Sequence, residues 1–574
     1  MNRNKITDIF IYIGLMIAFL TPRLPGIGSF VTLDEPQWLS QGANFYYALG
    51  QREFQNTVYE YQPAVTTMEI ISLAMFLYFP EYRGLGQGYL DYEKGELDPF
   101  MYKHGYDPLV LLAYSRTIQV FVLLILWLIL YYLLLRFFTK WVAVFAVLLI
   151  AFDPYYLGLT RIMTHEAMVA LFILVSLVSL AVYFFRDQNF IFLLISGVAA
   201  GFAQLTKSSA IAMLGAIGVL LLFQVFQGQK GNWQKNVLHA FQTFIKWLLI
   251  LALTYVVFWP GMWVAPGKML YQVYGNAFSY AFQGARLTVT EDLTPSEFSL
   301  NTAPDNTWDV ASVLLYRTTP IIWVGGILGL IFLFYSEHGK ILNYRVLAAF
   351  LLTNTIAFVL LIGLAQGRNS PHYILSSYVS LDVLAAMGWV ALFQRFTFKT
   401  TVLSINSMQA IVMAILVVFQ VFSSTLKFPY YFTYRNPILY AAGWYQEYPQ
   451  KPYGEALEMA ADYLSKQPDA SDSTAFVYYS RGCFSYFYPG KSISFRPYYI
   501  DGDHSEDLMN NLNSSDYLVV YYANQVQFEK YHPFLNILAK SEPYHVIWMD
   551  GYEYVRIYKV DTLSSEILEA LAGL

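Results

Sequence analysis

Apolar residues run through this chain in long blocks separated by short polar breaks. Blocks of the length needed to cross a ~30 Å hydrocarbon layer lie near 6–22, 115–137, 139–157, 163–185, 190–206, 209–227, 237–258, 319–336, 346–365, 372–394 and 408–426. They predict about eleven transmembrane helices, of which the fifth and sixth could be one broken helix. The breaks at alternate ends carry Arg3/Lys5, Arg136/Lys140, Arg186, Lys230/Lys235, Lys340/Arg345 and Arg395/Lys399. That bias places them, and the N-terminus, in the cytoplasm of a multi-pass protein of the cell membrane. Segments 23–114 and 259–318 then become external loops. The first apolar block follows two basic residues as a signal peptide would, but TPRLPGIGS offers no small-residue cleavage site, so it reads as an uncleaved helix.

Beyond residue 427 the pattern changes, and 428–574 predicts a soluble extracytoplasmic α/β domain appended to a membrane domain over 1–427. GEALEMAADYLSK sets Leu457, Ala460, Ala461 and Leu464 on one helical face. DYLVVYY reads as a strand, and YHVIWM and YEYVRIYKV read as a hairpin turning at Asp550-Gly551. The fold class is therefore an α-helical polytopic membrane protein with a small α/β C-terminal domain.

Composition agrees: 56% of the 574 residues are hydrophobic and 13% charged, and the mean hydropathy is +0.41, outside the soluble range. Aromatics at 18% suit rings at two water–lipid interfaces and sugar-stacking surfaces alike. A net charge of −5 gives no basic footprint for nucleic acid. One cysteine, Cys483, excludes an intrachain disulfide.

Ionisable residues gather at a few helix ends. Thr32-Leu33-Asp34-Glu35-Pro36-Gln37-Trp38 follows the first helix. Either carboxylate could cap the segment QWLSQGANFYYALG that follows Pro36, or one could act as general base on an acceptor hydroxyl while its neighbour orients the acceptor or shifts its pKa. A second group, Asp153-Pro154, Arg161 and His165-Glu166, precedes an apolar helix. A carboxylate there needs a cavity or a partner, and an ion pair from Arg161 to Glu166 or Asp153 is the plain alternative. Lys207, Arg368, His372 and Tyr373 sit at later breaks; cations at helix ends could bind a phosphate, or merely snorkel. The histidines have no metal-ligand spacing. The carboxylates could accept a divalent ion, but nothing calls for one, and no cofactor is expected.

In order and spacing, DEPQW, FDPYYLGLTRIMTHEA, GFAQLTKSSA, FWPGMWV and RNSPHYILSSYVSLDVLAA resemble the GT-C glycosyltransferases over roughly residues 1–395. The resemblance is to the dolichyl-phosphate-mannose protein mannosyltransferases and the bacterial aminoarabinose transferases that modify lipid A. It implies transfer of a hexose such as mannose from a polyprenyl-phosphate donor to a protein, lipid or glycan hydroxyl outside the cell, with inversion. It makes Asp34 the base, assisted by Glu35, and gives the donor phosphate to Arg161, with Lys207 and Arg368 nearby. Asp153, His165, Glu166, His372 and Tyr373 would support the site. The chain departs from the family at Gln62, where relatives often carry histidine, and at Glu166, which often is aspartate. Two other classes compete: a transporter or lipid flippase, against which no matching halves are evident, and a non-catalytic membrane scaffold.

Overall fold

The computed structural model describes residues 3–59, 62–227, 232–278, 303–335, 342–365, 370–395, 405–444, 452–495, 505–524 and 531–574. The chain forms two compact units. One takes 1–25, 41–89 and 115–438, the other 26–40, 90–114 and 439–574. The second unit takes 439–574 together with two stretches, 26–40 and 90–114, of the first predicted loop.

The first unit is helical, and all eleven apolar runs lie on helices. Among the described residues seven are long and apolar enough to span a membrane: Pro108–Leu134, Glu166–Phe185, Ser208–Phe226, Trp233–Val257, Arg345–Leu364, Pro371–Phe393 and Met408–Thr425. Thr307–Arg317 and Pro320–Ile331 form a pair bent by 115° that counts as an eighth. Part of the loop expected over 259–318 is therefore helix, while 279–302 lies outside the described residues. Three other runs give shorter helices, Ile6–Leu20, Lys140–Ala151 and Phe190–Thr206. The second of these stops at Phe152 because Pro154 cannot continue it. The fifth and sixth runs form separate helices that break at Lys207, whose backbone is extended (φ −153°, ψ 131°). The chain is a multi-pass membrane protein.

Glycine and small residues set how closely these helices approach. A Cβ on Gly388 would lie 2.0 Å from the Gly325 carbonyl oxygen and 2.3 Å from the Gly329 nitrogen, so helices Pro320–Tyr335 and Leu375–Arg395 meet backbone to backbone. Gly197 and Gly201 admit Ile250 and Thr254 in the same way. Buried polar groups are paired across helices: Trp247 Nε1 donates to Ser196 Oγ (3.0 Å), and Ser196 Oγ to the Ser176 carbonyl (2.8 Å). Helix Glu166–Phe185, apolar on every side, is 89% buried along its span and is the centre of the unit.

The second unit is built on a five-stranded sheet: β1 Thr474–Tyr478, β2 Lys491–Phe495, β3 Tyr517–Tyr521, β4 His545–Met549 and β5 Tyr552–Lys559. The spatial order is β2-β1-β3-β5-β4, with β1 parallel to β2 and β3, and β5 antiparallel to β3 and β4. Asp550 (φ 53°) and Gly551 (φ 82°) make the expected hairpin turn, which needs left-handed backbone at both positions. Helix Leu457–Ser465 buries Leu457, Ala460, Ala461 and Leu464, the face its spacing predicts.

Candidate functional site

In the first unit three chain breaks bring ionisable groups together around one buried carboxylate. Glu166 is the first residue of its helix and His165 stands at the N-cap. Lys207 comes from the break after Thr206, and His372 from the single turn Pro371–Ile374. Lys207 Nζ donates to Glu166 Oε1 at 2.9 Å. His165 Nε2 lies 3.3 Å and His372 Nε2 4.0 Å from the same oxygen. Lys207 Nζ also sits over the Tyr373 ring, 4.4 Å from its centroid. A carboxylate this deep is tolerable because a full positive charge is bonded to it. The side chains of Lys207, Glu166 and His165 are at most 6% exposed, whereas His372 reaches 15%, so the cluster opens on its His372 side. An anion arriving there would meet an imidazole first and the shared ammonium behind it.

Arg161 is elsewhere engaged. Its Nη1 donates to the Pro22 carbonyl (3.0 Å) and its Nη2 to that of Pro25 (2.6 Å), while the guanidinium lies 5.2 Å from the Phe428 centroid and 5.3 Å from that of Tyr431. Arg23, also buried, donates to the carbonyls of Phe19 and Ala151. The two arginines tie the turn that follows the first helix. Neither ion pair proposed for Arg161 forms: Glu166 pairs with Lys207, and Asp153 Oδ1 caps helix Pro154–Leu159 by accepting from the Tyr156 backbone N–H at 2.7 Å. Arg368 lies outside the described residues.

Asp382 was not singled out by the spacing of charges. It is 1% exposed, and neither of its carboxylate oxygens has a hydrogen-bond partner among the described residues; Asp153 Oδ2 is in the same condition. The available signal is a lone acid in the 23-residue span Pro371–Phe393.

In the second unit Glu35 is fully buried and its Oε2 accepts from both the backbone N–H and the hydroxyl of Thr32, each at 2.8 Å. It closes the turn that starts helix Glu35–Gln51. Asp34, half-buried, accepts through Oδ2 from the Tyr453 hydroxyl, and the Leu33 N–H donates to the Tyr453 carbonyl (3.2 Å). Tyr453, 419 residues away in the chain, therefore fixes the carboxylate that the motif isolates. Burial and then the neighbouring Glu35, Glu458, Asp34 and Glu455 push the Cys483 thiol well above its usual range, which leaves it inert.

Residues 113–261, a segment that contains Asp153, Arg161, His165, Glu166 and Lys207, match the family model described as dolichyl-phosphate-mannose-protein mannosyltransferase. Several solved structures are similar over most of the chain, three of them as follows. The Archaeoglobus fulgidus oligosaccharyltransferase, in complex with zinc and sulfate, is 13% identical over 92% of this chain and 69% of its own, with a TM-score of 0.47. ArnT from Cupriavidus metallidurans, bound to undecaprenyl phosphate, is 11% identical over 97% of this chain and 98% of its own, with a TM-score of 0.44. The arabinofuranosyltransferase AftD from Mycobacteria is 13% identical over 91% of this chain and 40% of its own, at 0.34. No curated protein sequence matches the chain.

Proposed function

We propose that the protein is a membrane glycosyltransferase that moves a sugar from a polyprenyl-phosphate carrier to an acceptor hydroxyl on the extracytoplasmic face. The observation that carries this is the family-model match over 113–261, together with the gathering of Lys207, Glu166, His165 and His372 at helix ends inside or beside that segment. Sugar transfer from a lipid phosphate needs a cation for the leaving phosphate and a base for the acceptor. The Lys207 ammonium and the His372 imidazole are suited to the first task. Glu166 holds Lys207 in place, and the Tyr373 ring covers it. Arg368 keeps the place near the donor phosphate that the family resemblance gives it, whereas Arg161, whose two Nη groups donate to the Pro22 and Pro25 carbonyls, acts by holding the 20–25 turn instead of binding the phosphate directly.

Asp34 is the base in this reading. It removes the acceptor proton as the oxygen attacks the anomeric carbon, the C–O bond to the carrier breaks with inversion, and the polyprenyl phosphate departs with the bonding pair. The Tyr453 hydroxyl orients the carboxylate, and Glu35 shapes its turn. A hexose, mannose first, is the donor the family name suggests. The protein has its N-terminus in the cytoplasm in this account.

The test is transfer of labelled hexose from polyprenyl-phosphate hexose in membranes that carry the protein, with the anomeric configuration of the product read by NMR. Label in an inverted product supports the reading. A retained configuration removes the single-displacement step and with it the role of Asp34.

A further inference from the structure

The second unit contains an open cleft of about 1260 Å³ between the 91–107 stretch and the 480–494 segment that runs from β1 into β2. Its described lining consists of Asp, Glu, Lys, Arg, Ser, Tyr, Gly and Pro, with no aliphatic side chain. That is unlike a site for an apolar small molecule, which would be lined mainly by hydrophobic groups. Several of the charges, of both signs, are arranged against one another or against backbone. Arg481 donates to the carbonyls of Glu93 (3.0 Å) and Tyr92, and Lys94 pairs with Asp91 at 3.3 Å. Asp98 Oδ1 accepts from the Tyr486 hydroxyl at 2.8 Å. The cleft thus has many donors and acceptors but little net field, and Tyr102, 50% exposed, offers an aromatic face beside Asp98. The Ser494 hydroxyl on its wall has no partner among the described residues.

A hydroxyl-rich neutral chain satisfies all of these features at once: carboxylates and serines bridge vicinal hydroxyls, and a tyrosine ring takes the apolar face of a pyranose. We propose that this cleft binds a neutral oligosaccharide. Under the glycosyltransferase reading it is the glycan part of the acceptor, and only that assignment rests on the reading; binding itself does not. The competing occupant is an extended peptide, because β2 is an edge strand of the sheet.

The experiment uses the full chain in lipid nanodiscs, without maltoside detergent, whose head group is itself a sugar. Saturation-transfer NMR measures binding of maltopentaose, mannopentaose and a mixed-sequence decapeptide to the wild type and to Tyr102→Ala and Asp98→Asn. At least one pentasaccharide is expected to bind, insensitively to salt, and Tyr102→Ala should weaken it about five- to ten-fold with Tm unchanged. Asp98→Asn, which keeps an acceptor for Tyr486 but removes a carboxylate from the cleft, should weaken binding about three-fold or more and decides the matter if Tyr102→Ala is unstable: unchanged binding by it would then overturn the proposal. Binding of neither pentasaccharide, equal binding by Tyr102→Ala, or binding of the peptide alone overturns the proposal. The binding measurement contains no donor and so tests the cleft alone; sugar binding here with no label transferred in the separate assay with polyprenyl-phosphate hexose would sink the enzyme reading and leave the cleft standing, and transfer there without sugar binding here would do the reverse.

Discussion

The Lys207–Glu166 pair allows structural and chemical roles to be separated by a double-mutant cycle. At 2.9 Å and an effective dielectric constant of about 20, the two charges attract by about 6 kcal/mol. Much of that offsets the cost of taking both out of water, so removal of the pair as a whole should change stability by only about 1–2 kcal/mol. Loss of one partner is different. Lys207→Met leaves the Glu166 carboxylate with two imidazoles, and Glu166→Leu leaves an ammonium with the Tyr373 ring; each should cost about 3–5 kcal/mol. The double variant Lys207→Met/Glu166→Leu should therefore be more stable than either single one, a coupling of several kcal/mol. Thermal unfolding in nanodiscs, followed by tryptophan fluorescence, reads this directly. Sugar transfer should stay lost in the double variant, because the phosphate has lost its cation. Single variants as stable as the wild type, or a double variant whose losses simply add, would refute the reasoning.

Three further outcomes follow from particular contacts. Gly388→Ala places a methyl against the Gly325 and Gly329 backbones, which cannot swing aside as a side chain could; a loss of about 1–3 kcal/mol is expected in an unfolding assay, and a neutral result would mean that the two helices are not this close. Arg161→Lys cannot serve the Pro22 and Pro25 carbonyls with one fork, so stability should fall by about 1–3 kcal/mol by the same assay. Burial pushes the Asp98 carboxyl up to about 6, against the Tyr486 hydrogen bond and Arg481, which pull it down. The folded chain then holds that proton more tightly than the unfolded one. Its contribution is complete below the ordinary value of 3.8 and lost as pH rises through about 6. Asp98→Asn should accordingly gain Tm relative to wild type between those limits, and a constant difference across that window would contradict the assignment.

The sequence makes legible what depends on neighbours along the chain. Eleven apolar runs mark eleven helical segments because burial in lipid imposes length and composition on each one separately. The Asp550-Gly551 hairpin and the helix Leu457–Ser465 follow from turn chemistry and periodicity alone. Strands β1 and β2 escape, since TAFVY and KSISF are stabilised by parallel pairing with each other and, for β1, with β3, partners distant in the chain. Pairings of charge escape for the same reason. Lys207 and Glu166 are 41 residues apart, and only the meeting of two helix ends joins them. The arginine that looks like a free cation in sequence, Arg161, faces backbone carbonyls, partners that no residue type advertises. Asp34 and Glu35 look equivalent as letters, but Glu35 is buried on Thr32 while Asp34 is half-buried beside Tyr453.

The central claim is that Asp34 is the base of a sugar transfer from a lipid phosphate, and one comparison tests it most directly. Membranes with equal amounts of wild type, Asp34→Asn and Tyr453→Phe are supplied with labelled polyprenyl-phosphate mannose, and transfer to acceptor is counted against empty membranes. The account predicts transfer by wild type, reduced transfer by Tyr453→Phe, and none above background by Asp34→Asn, which keeps an oxygen for Tyr453 but cannot take a proton. Full activity in Asp34→Asn would contradict it.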